Sequence, residues 1–365
     1  MPTSNSLTLH QLALWNTPGI HSSLFNILIQ NQPDATMYFD RRYLSRNPLN
    51  LSETILQALV KPPWRLLENM LTWAQHPQHY ILTATDDRYP ALLKEIHDYP
   101  AILILAGRLS LCQLPALAMV GSRRPTAMGQ DNAFQFAHTL AQAGLTIVSG
   151  LALGIDAASH RGALSANAQT IAVLANGMDV IYPRQHKTLQ QKLIEEALVI
   201  TEFPHTCQPK RWHFPRRNRL ISGLSHAILI VEAAKRSGSL ITAQHALEQG
   251  RDVFALPGSI HNPMAKGCHA LIRQGAQLVE TTQDIVEEIQ SQQTLLTISP
   301  VKKSANKLAK PLKTILNAVD YETTALDLII HRSGFDAAQT SATLTELELM
   351  GLLVSTAEGY LRTGS

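Results

Sequence analysis

Cysteine is nearly absent. The 365 residues hold three, Cys112, Cys207 and Cys268, with no metal-ligand spacing and no even framework for disulfides. That excludes a disulfide scaffold and fits a reducing compartment. Aromatic residues are sparse at 5%, and charged residues, at 16%, are too few for a disordered chain. The apolar 45% suffices for a substantial core, while a formal net charge of +3 is too small to name a partner by itself. The opening MPTSNSLTLHQLALW lacks the basic and apolar regions of a secretory leader. Residues 1–33 and 132–155 carry no Asp, Glu, Lys or Arg, but Gln, Asn, His, Ser and Gly interrupt both, so neither reads as a membrane span. These absences lead to a cytoplasmic protein with no membrane contact, and the length to two or three domains.

Residues 1–75 read as a small helical domain. Leu12, Leu14, Ile20, Leu24 and Leu28 recur at helical spacing around a Thr17-Pro18-Gly19 turn. The turn between two short helices is similar to helix-hairpin-helix modules, which bind nucleic acid backbone, and the domain as a whole to SAM-like helical domains. The hairpin normally carries a second Gly where His21 stands, and packing alone is the better reading. From 116 to 290 the pattern alternates. Apolar runs at Leu117–Val120, Leu145–Val148, Thr170–Leu174, Leu198–Thr201, Ala227–Val231, Val253–Leu256 and Gln277–Val279 predict strands. Asn132–Gln142, Ala157–Ser165, His186–Ala197 and Ile241–Gln249 predict helices between most of them. The fold class is therefore α/β, a doubly wound, mostly parallel sheet. Residues 291–313 read as a basic linker, with five lysines and no acid from 296 onward. Residues 314–365 outline a C-terminal winged helix. Their seven acids against two basic residues oppose duplex DNA and suit contact with protein.

Ligands of such sheets bind beyond the carboxyl ends of the strands. Five of the first six strands are followed there by glycine-bearing turns. Gly121, Ser122, Arg123 and Arg124 follow the first, and Gly150 and Gly154 bracket the turn after the second. Lys235, Arg236, Ser237, Gly238 and Ser239 follow the fifth. Glycine lets backbone N–H groups approach an anion, and a helix N-terminus adds its dipole. Neither GxGxxG nor GxxxxGK[ST] occurs, so NAD and ATP are disfavoured and a phosphate-bearing ligand remains. No cofactor is expected.

Between Phe203 and Val231 stand Lys210, Arg211, Arg216, Arg217 and Arg219 with no acid, interleaved with Phe203, Trp212 and Phe214. Cations beside aromatic faces describe a single-strand nucleic-acid surface, where bases stack and phosphates pair with Arg. The plainer alternative makes the aromatics core residues and the arginines a solvated face. Residues 116–280 carry sixteen Lys and Arg against ten Asp and Glu, a basic middle that the whole-chain charge hides. No catalytic constellation is recognisable. His160 is expected on a helix surface, Asp156 as the cap of the helix that it opens, and His261, Cys268 and His269 lack metal spacing.

Read in order, the motifs VGSRRPTAMG from Val120, SGLALGIDAASHRGAL from Ser149 and LANGMDVIYPRQH from Leu174 resemble the DNA processing protein A family, also called DprA or Smf. The resemblance continues through TEFP from Thr201, FPRRNRLISGLS from Phe214, VEAAKRSGSLITAQHALEQGRDVFALPG from Val231 and GCHALIRQGA from Gly267, covering about 80–290. It implies an extended Rossmann-like domain, with helical and winged-helix flanks, that binds single-stranded DNA. It also implies a homodimer that loads RecA onto incoming strands during natural transformation. The family's Gly-Ser-Arg element falls on Gly121, Ser122 and Arg123. Its FPxRNRxISG element includes Phe214, Arg217, Asn218 and Arg219, with Arg216 between, and its SGS loop falls on Ser237, Gly238 and Ser239. Cys268 and His269 stand where the family usually shows Thr and Asn. The competing reading is an enzyme, since nucleotide N-glycosidases of the lysine-decarboxylase-like group share the phosphate turns. Their Pro-Gly-Gly-x-Gly-Thr loop precedes a catalytic Glu, whereas no acid follows Pro257-Gly258-Ser259 before Glu280. A binding protein without catalytic residues is the expectation.

Overall fold

The computed structural model describes residues 8–47, 49–166, 169–292, 309–356 and 358–363. Most of the expected basic linker, 293–308, lies outside the described residues. Nine strands form one sheet: β1 (His79–Thr83), β2 (Ile102–Gly107), β3 (Ala116–Val120), β4 (Thr146–Ser149), β5 (Thr170–Val173), β6 (Leu198–Thr201), β7 (Ala227–Ile230), β8 (Asp252–Ala255) and β9 (Gln277–Leu278). Their spatial order is β1-β2-β6-β5-β4-β3-β7-β8-β9. Every pairing from β6 across to β9 is parallel. Strands β2 to β7 are buried at every position, because helices cover both faces of the sheet. That double burial is why they read as unbroken apolar runs rather than alternating ones. The chain winds outward from β3 in both directions, so the strand order reverses between β3 and β7.

Two strands were not anticipated. β1 pairs antiparallel with β2, and β2 antiparallel with β6, extending the parallel sheet at one end. The helices ahead of them, Leu9–Trp15, Ser22–Asn31, Arg41–Arg46, Glu53–Val60 and Trp64–Trp73, do not keep a separate core. Leu12, Leu14, Leu28, Leu67 and Met70 belong to one apolar cluster with Leu82 and Ile102–Ala106. At about 1.5–3 kcal/mol for each large apolar side chain fully buried, this shared packing fastens the helices to the antiparallel end. His21, in the place of the hairpin's second Gly, caps the Ser22–Asn31 helix, its Nδ1 accepting from the Leu24 N–H at 3.3 Å.

The helix expected from Asn132 begins at Ala127, where the Thr126 hydroxyl accepts from the Gly129 N–H at 3.0 Å. His160 is not on a helix surface. It is fully buried, hydrogen-bonded to the Thr170 hydroxyl at 2.7 Å, and burial pushes its pKa down to about 3. The helix Lys310–Ala318 takes up the last four residues of the expected linker and, with Leu326–Ser333 and Ala337–Leu349, precedes the hairpin β10 (Leu353–Thr356) and β11 (Gly359–Arg362). This winged helix has its own core of Leu312, Ile315, Leu316, Ile329, Leu344 and Leu347. No helix among the described residues is long and apolar enough to cross a membrane.

Candidate functional site

The parallel strands bring the expected turns to one edge of the sheet. The turn after β4 is the most constrained. Gly154 has φ +78° and Leu151 φ +56°, and a Cβ on Gly154 would lie 2.3 Å from the Ser122 carbonyl oxygen. The Gly150 and Ala152 N–H groups donate to the Asp156 carboxylate at 3.2 and 3.3 Å. Asp156 therefore does not cap its own helix. Its carboxyl group ties down the preceding turn, and its burial raises its pKa against the opposing pull of Arg217. The amides expected to face a phosphate there are already engaged.

Arg217 completes this knot. It is buried, and its Nη1 donates to the Gly150 and Val173 carbonyls, joining the ends of β4 and β5. Burial lowers its pKa to about 10, the Asp156 charge opposing the fall. A Cβ on Gly150 would lie 2.4 Å from the guanidinium carbon, so the bare Cα admits Arg217.

The acid-free basic window is partly neutralised by a residue just outside it. Glu202, at the end of β6, accepts from Arg219 at 2.6 Å and from Arg216 at 3.1 Å. Arg219 also reaches Asp98 at 3.4 Å. Arg217 and Arg219 are thus interior residues, and Arg216 is half-buried. Among the described residues, Arg123, Arg124, Lys210, Arg211, Lys235 and Arg236 are exposed and make no ion pair. The aromatics divide as well. Phe203 is buried against His213, Phe214 is half-buried, and Trp212 is exposed.

A cleft opens above the Gly150–Arg217 knot. Its cavity volume is about 50 Å³, well below that of small-ligand sites, so it is a shallow seat for part of a ligand rather than an enclosing pocket. Arg123, Asn176, Tyr182 and Phe214 line it with Gly150 and Arg217. The Arg123 guanidinium lies 5.1 Å from the centre of the Phe214 ring, and Tyr182 lies 5.6 Å from the same ring. His213 fixes one wall, its Nδ1 held at 3.1 Å by the Ala175 carbonyl, and burial lowers its pKa. Of the residues expected at a site, Arg123, Gly150, Phe214 and Arg217 meet in this cleft; Asn176 and Tyr182, which join them, were not anticipated.

The second group lies across the strand-order reversal. Ser237 caps the Gly238–Glu248 helix, its hydroxyl accepting from the Ser239 N–H at 3.3 Å, and Lys235 and Arg236 stand exposed beside it. Asn218 donates to the Gly238 carbonyl at 3.4 Å, linking this loop to the arginine helix His213–Gly223. The reversal point itself is filled. The Ser122 N–H donates to the Glu232 carbonyl at 2.7 Å, and the Ser122 hydroxyl accepts from the Arg124 N–H at 3.0 Å. The buried Glu232 carboxylate accepts from the Thr126 N–H and hydroxyl at 2.9 and 2.7 Å. A carboxylate thus sits where a dinucleotide fold places pyrophosphate. Cys268 packs behind β7, and the His269 Nε2 meets the Gly258 carbonyl at 3.0 Å, so the two departures are accommodated by the core and by the Pro257-Gly258 turn. Among the described residues no group of three His, Cys, Asp or Glu side chains is placed to hold a metal.

Residues 80–290 match the family model described as DNA recombination-mediator protein A, and residues 299–359 that of the DprA winged helix domain. The protein named Smf of Escherichia coli K12 is 40% identical over 330 residues, spanning 89% of this chain and 88% of its own. The X-ray structure of DNA processing protein A from Streptococcus pneumoniae superposes with a TM-score of 0.68 at 34% identity, covering 78% of this chain and 99% of that one. The protein from Helicobacter pylori, whose structure describes a single-stranded DNA binding mode, gives a TM-score of 0.54 at 30% identity, over 60% of this chain and 98% of that one. With its sheet order, its winged helix and these likenesses, the chain belongs to the DNA processing protein A (DprA/Smf) family.

Proposed function

We propose that the protein binds single-stranded DNA along the carboxyl edge of the sheet, protects the strand and loads RecA onto it during natural transformation, in the cytoplasm. The observation that carries the DNA reading is the exposed Arg123, free of any ion pair among the described residues, set against the Phe214 ring beside Tyr182, with further exposed cations on the turns of the same sheet edge. Charge-assisted bonds from Arg and Lys take phosphates, and ring faces take unpaired bases, which a duplex does not offer. In the free protein the Arg123 guanidinium covers one face of Phe214. A base exchanging for it would free Arg123 to turn toward the phosphate of the same nucleotide. Arg217 and Arg219 support this surface from beneath. The family likeness and the single-stranded DNA binding of the Helicobacter pylori relative support the same reading.

We further propose a homodimer, for which the edge strand β9 and the exposed Ile260 and Leu278 offer an unpaired, apolar margin. The protein acts as a binder rather than a nucleotide hydrolase. Incubation with nucleoside monophosphates checks this, and release of free base would contradict it. The DNA site is tested by replacing Arg124, Lys235 and Arg236 with Ala together. The slope of log affinity against log salt should become shallower by about 0.7 for each phosphate that is no longer neutralised. An unchanged slope would move the site elsewhere.

A further inference from the structure

We propose that Trp212 is a second base platform. It stacks the nucleotide next to the one in the cleft and leads the strand outward over the amino end of the His213–Gly223 helix. The inference rests on the single-stranded DNA reading and adds to it a path and a second stacking residue.

Trp212 is 57% exposed, whereas the other three tryptophans of the chain are half-buried. A large apolar ring so open to water forgoes the burial that usually fixes an indole. Its ring neighbours are the edge of His213, at 4.0 Å between centroids, and the Lys210 ammonium, 5.8 Å from its centre. The position is nevertheless firmly held. The His213 N–H donates to the Lys210 carbonyl at 2.9 Å, closing the turn that carries Trp212. The His213 ring is pinned to the Ala175 carbonyl in the cleft wall.

Phe214 is two residues further on in helical backbone, so the two rings face different sides of the helix's amino end, with their Cα atoms within about 7 Å of each other. The electrostatics follow the same line. Arg216 and Arg219 are neutralised by Glu202, but Lys210 and Arg211 make no ion pair among the described residues. Unspent positive charge thus flanks the exposed ring, the pairing that a flexible, phosphate-bearing strand requires. Such stacking tolerates any base, because every base has a π-face.

The test uses the full chain with a short oligothymidylate at fixed salt. Trp212→Ala should weaken binding roughly tenfold, and Trp212→Phe should retain most of the affinity. Tryptophan emission should be quenched on binding in the wild type and not in Trp212→Phe. If Arg123→Ala loses affinity while Trp212→Ala binds like wild type, this inference fails and the cleft reading stands. If both variants bind like wild type, the cleft reading itself is wrong. A loss in Trp212→Ala that Trp212→Phe does not relieve, without quenching in the wild type, would also overturn the stacking role. Circular dichroism confirms that each variant is folded.

Discussion

Replacing Arg217 with Ala separates a residue that builds the cleft from one that touches phosphate. The guanidinium donates to two interior carbonyls, those of Gly150 and Val173. Each buried acceptor left unpaired costs about 1–3 kcal/mol, so the loss comes to roughly 2–6 kcal/mol before Asp156 is counted. Asp156 then loses the positive charge that opposes the rise in its pKa. For a domain of this size about 2–4 °C of Tm is lost per kcal/mol, which places the fall at about 5–20 °C. Arg217→Lys keeps the charge but not the planar fork, and should recover only part of the stability. Arg123→Ala is the contrast. Its side chain is exposed, so stability should hold within about 0.5 kcal/mol of wild type while single-strand affinity drops roughly tenfold. Thermal circular dichroism and fluorescence anisotropy read the two effects. If Arg217→Ala melts with the wild type yet weakens DNA binding with a shallower salt slope, Arg217 faces phosphate and the clamp is refuted.

The acidic winged helix should not contribute DNA affinity. A chain ending at residue 291 should keep most of it, and one ending at 309 restores Lys302, Lys303 and Lys307 of the linker to measure their share. Loss beyond roughly tenfold, about 1.4 kcal/mol, in both would make the winged helix a DNA module. Stability should also fall in mild acid. The unfolded chain protonates His160 near 6.5, but the folded chain only near 3, so the unfolded state binds more protons between those values and stability rises with pH there. The loss should approach about 1.4 kcal/mol per pH unit well below pH 6. His160→Gln should shrink the difference in denaturant midpoint between pH 5 and pH 7.5, and an unchanged difference would assign it to other groups.

The central sheet was legible because strands buried on both faces leave continuous apolar runs, as in β3 and β7. β1, half-buried along most of its length and paired antiparallel, leaves no such run, and its partner β2 reads only as a lead-in. The glycine turns were legible in position but not in use. Nothing local in the sequence says that Gly150 makes room for an arginine 67 residues away, or that its N–H is claimed by Asp156. The arginine window misled for the same reason. Glu202 lies one residue outside it and Asp98 more than a hundred away, and tertiary contact alone shows which guanidinium groups they neutralise. His160 looked like a surface residue because the polar partner that makes its burial tolerable, Thr170, comes from a strand rather than from its own helix.

The central claim is that unpaired cations and ring faces on one sheet edge select an unpaired strand. Binding of one labelled oligonucleotide, single-stranded and as its duplex, measured across a salt series with the full chain, tests it most directly. The account predicts tighter single-strand binding at every matched salt, by roughly tenfold, with a log–log slope of about −0.7 for each phosphate neutralised. Equal affinity for the two forms would contradict it.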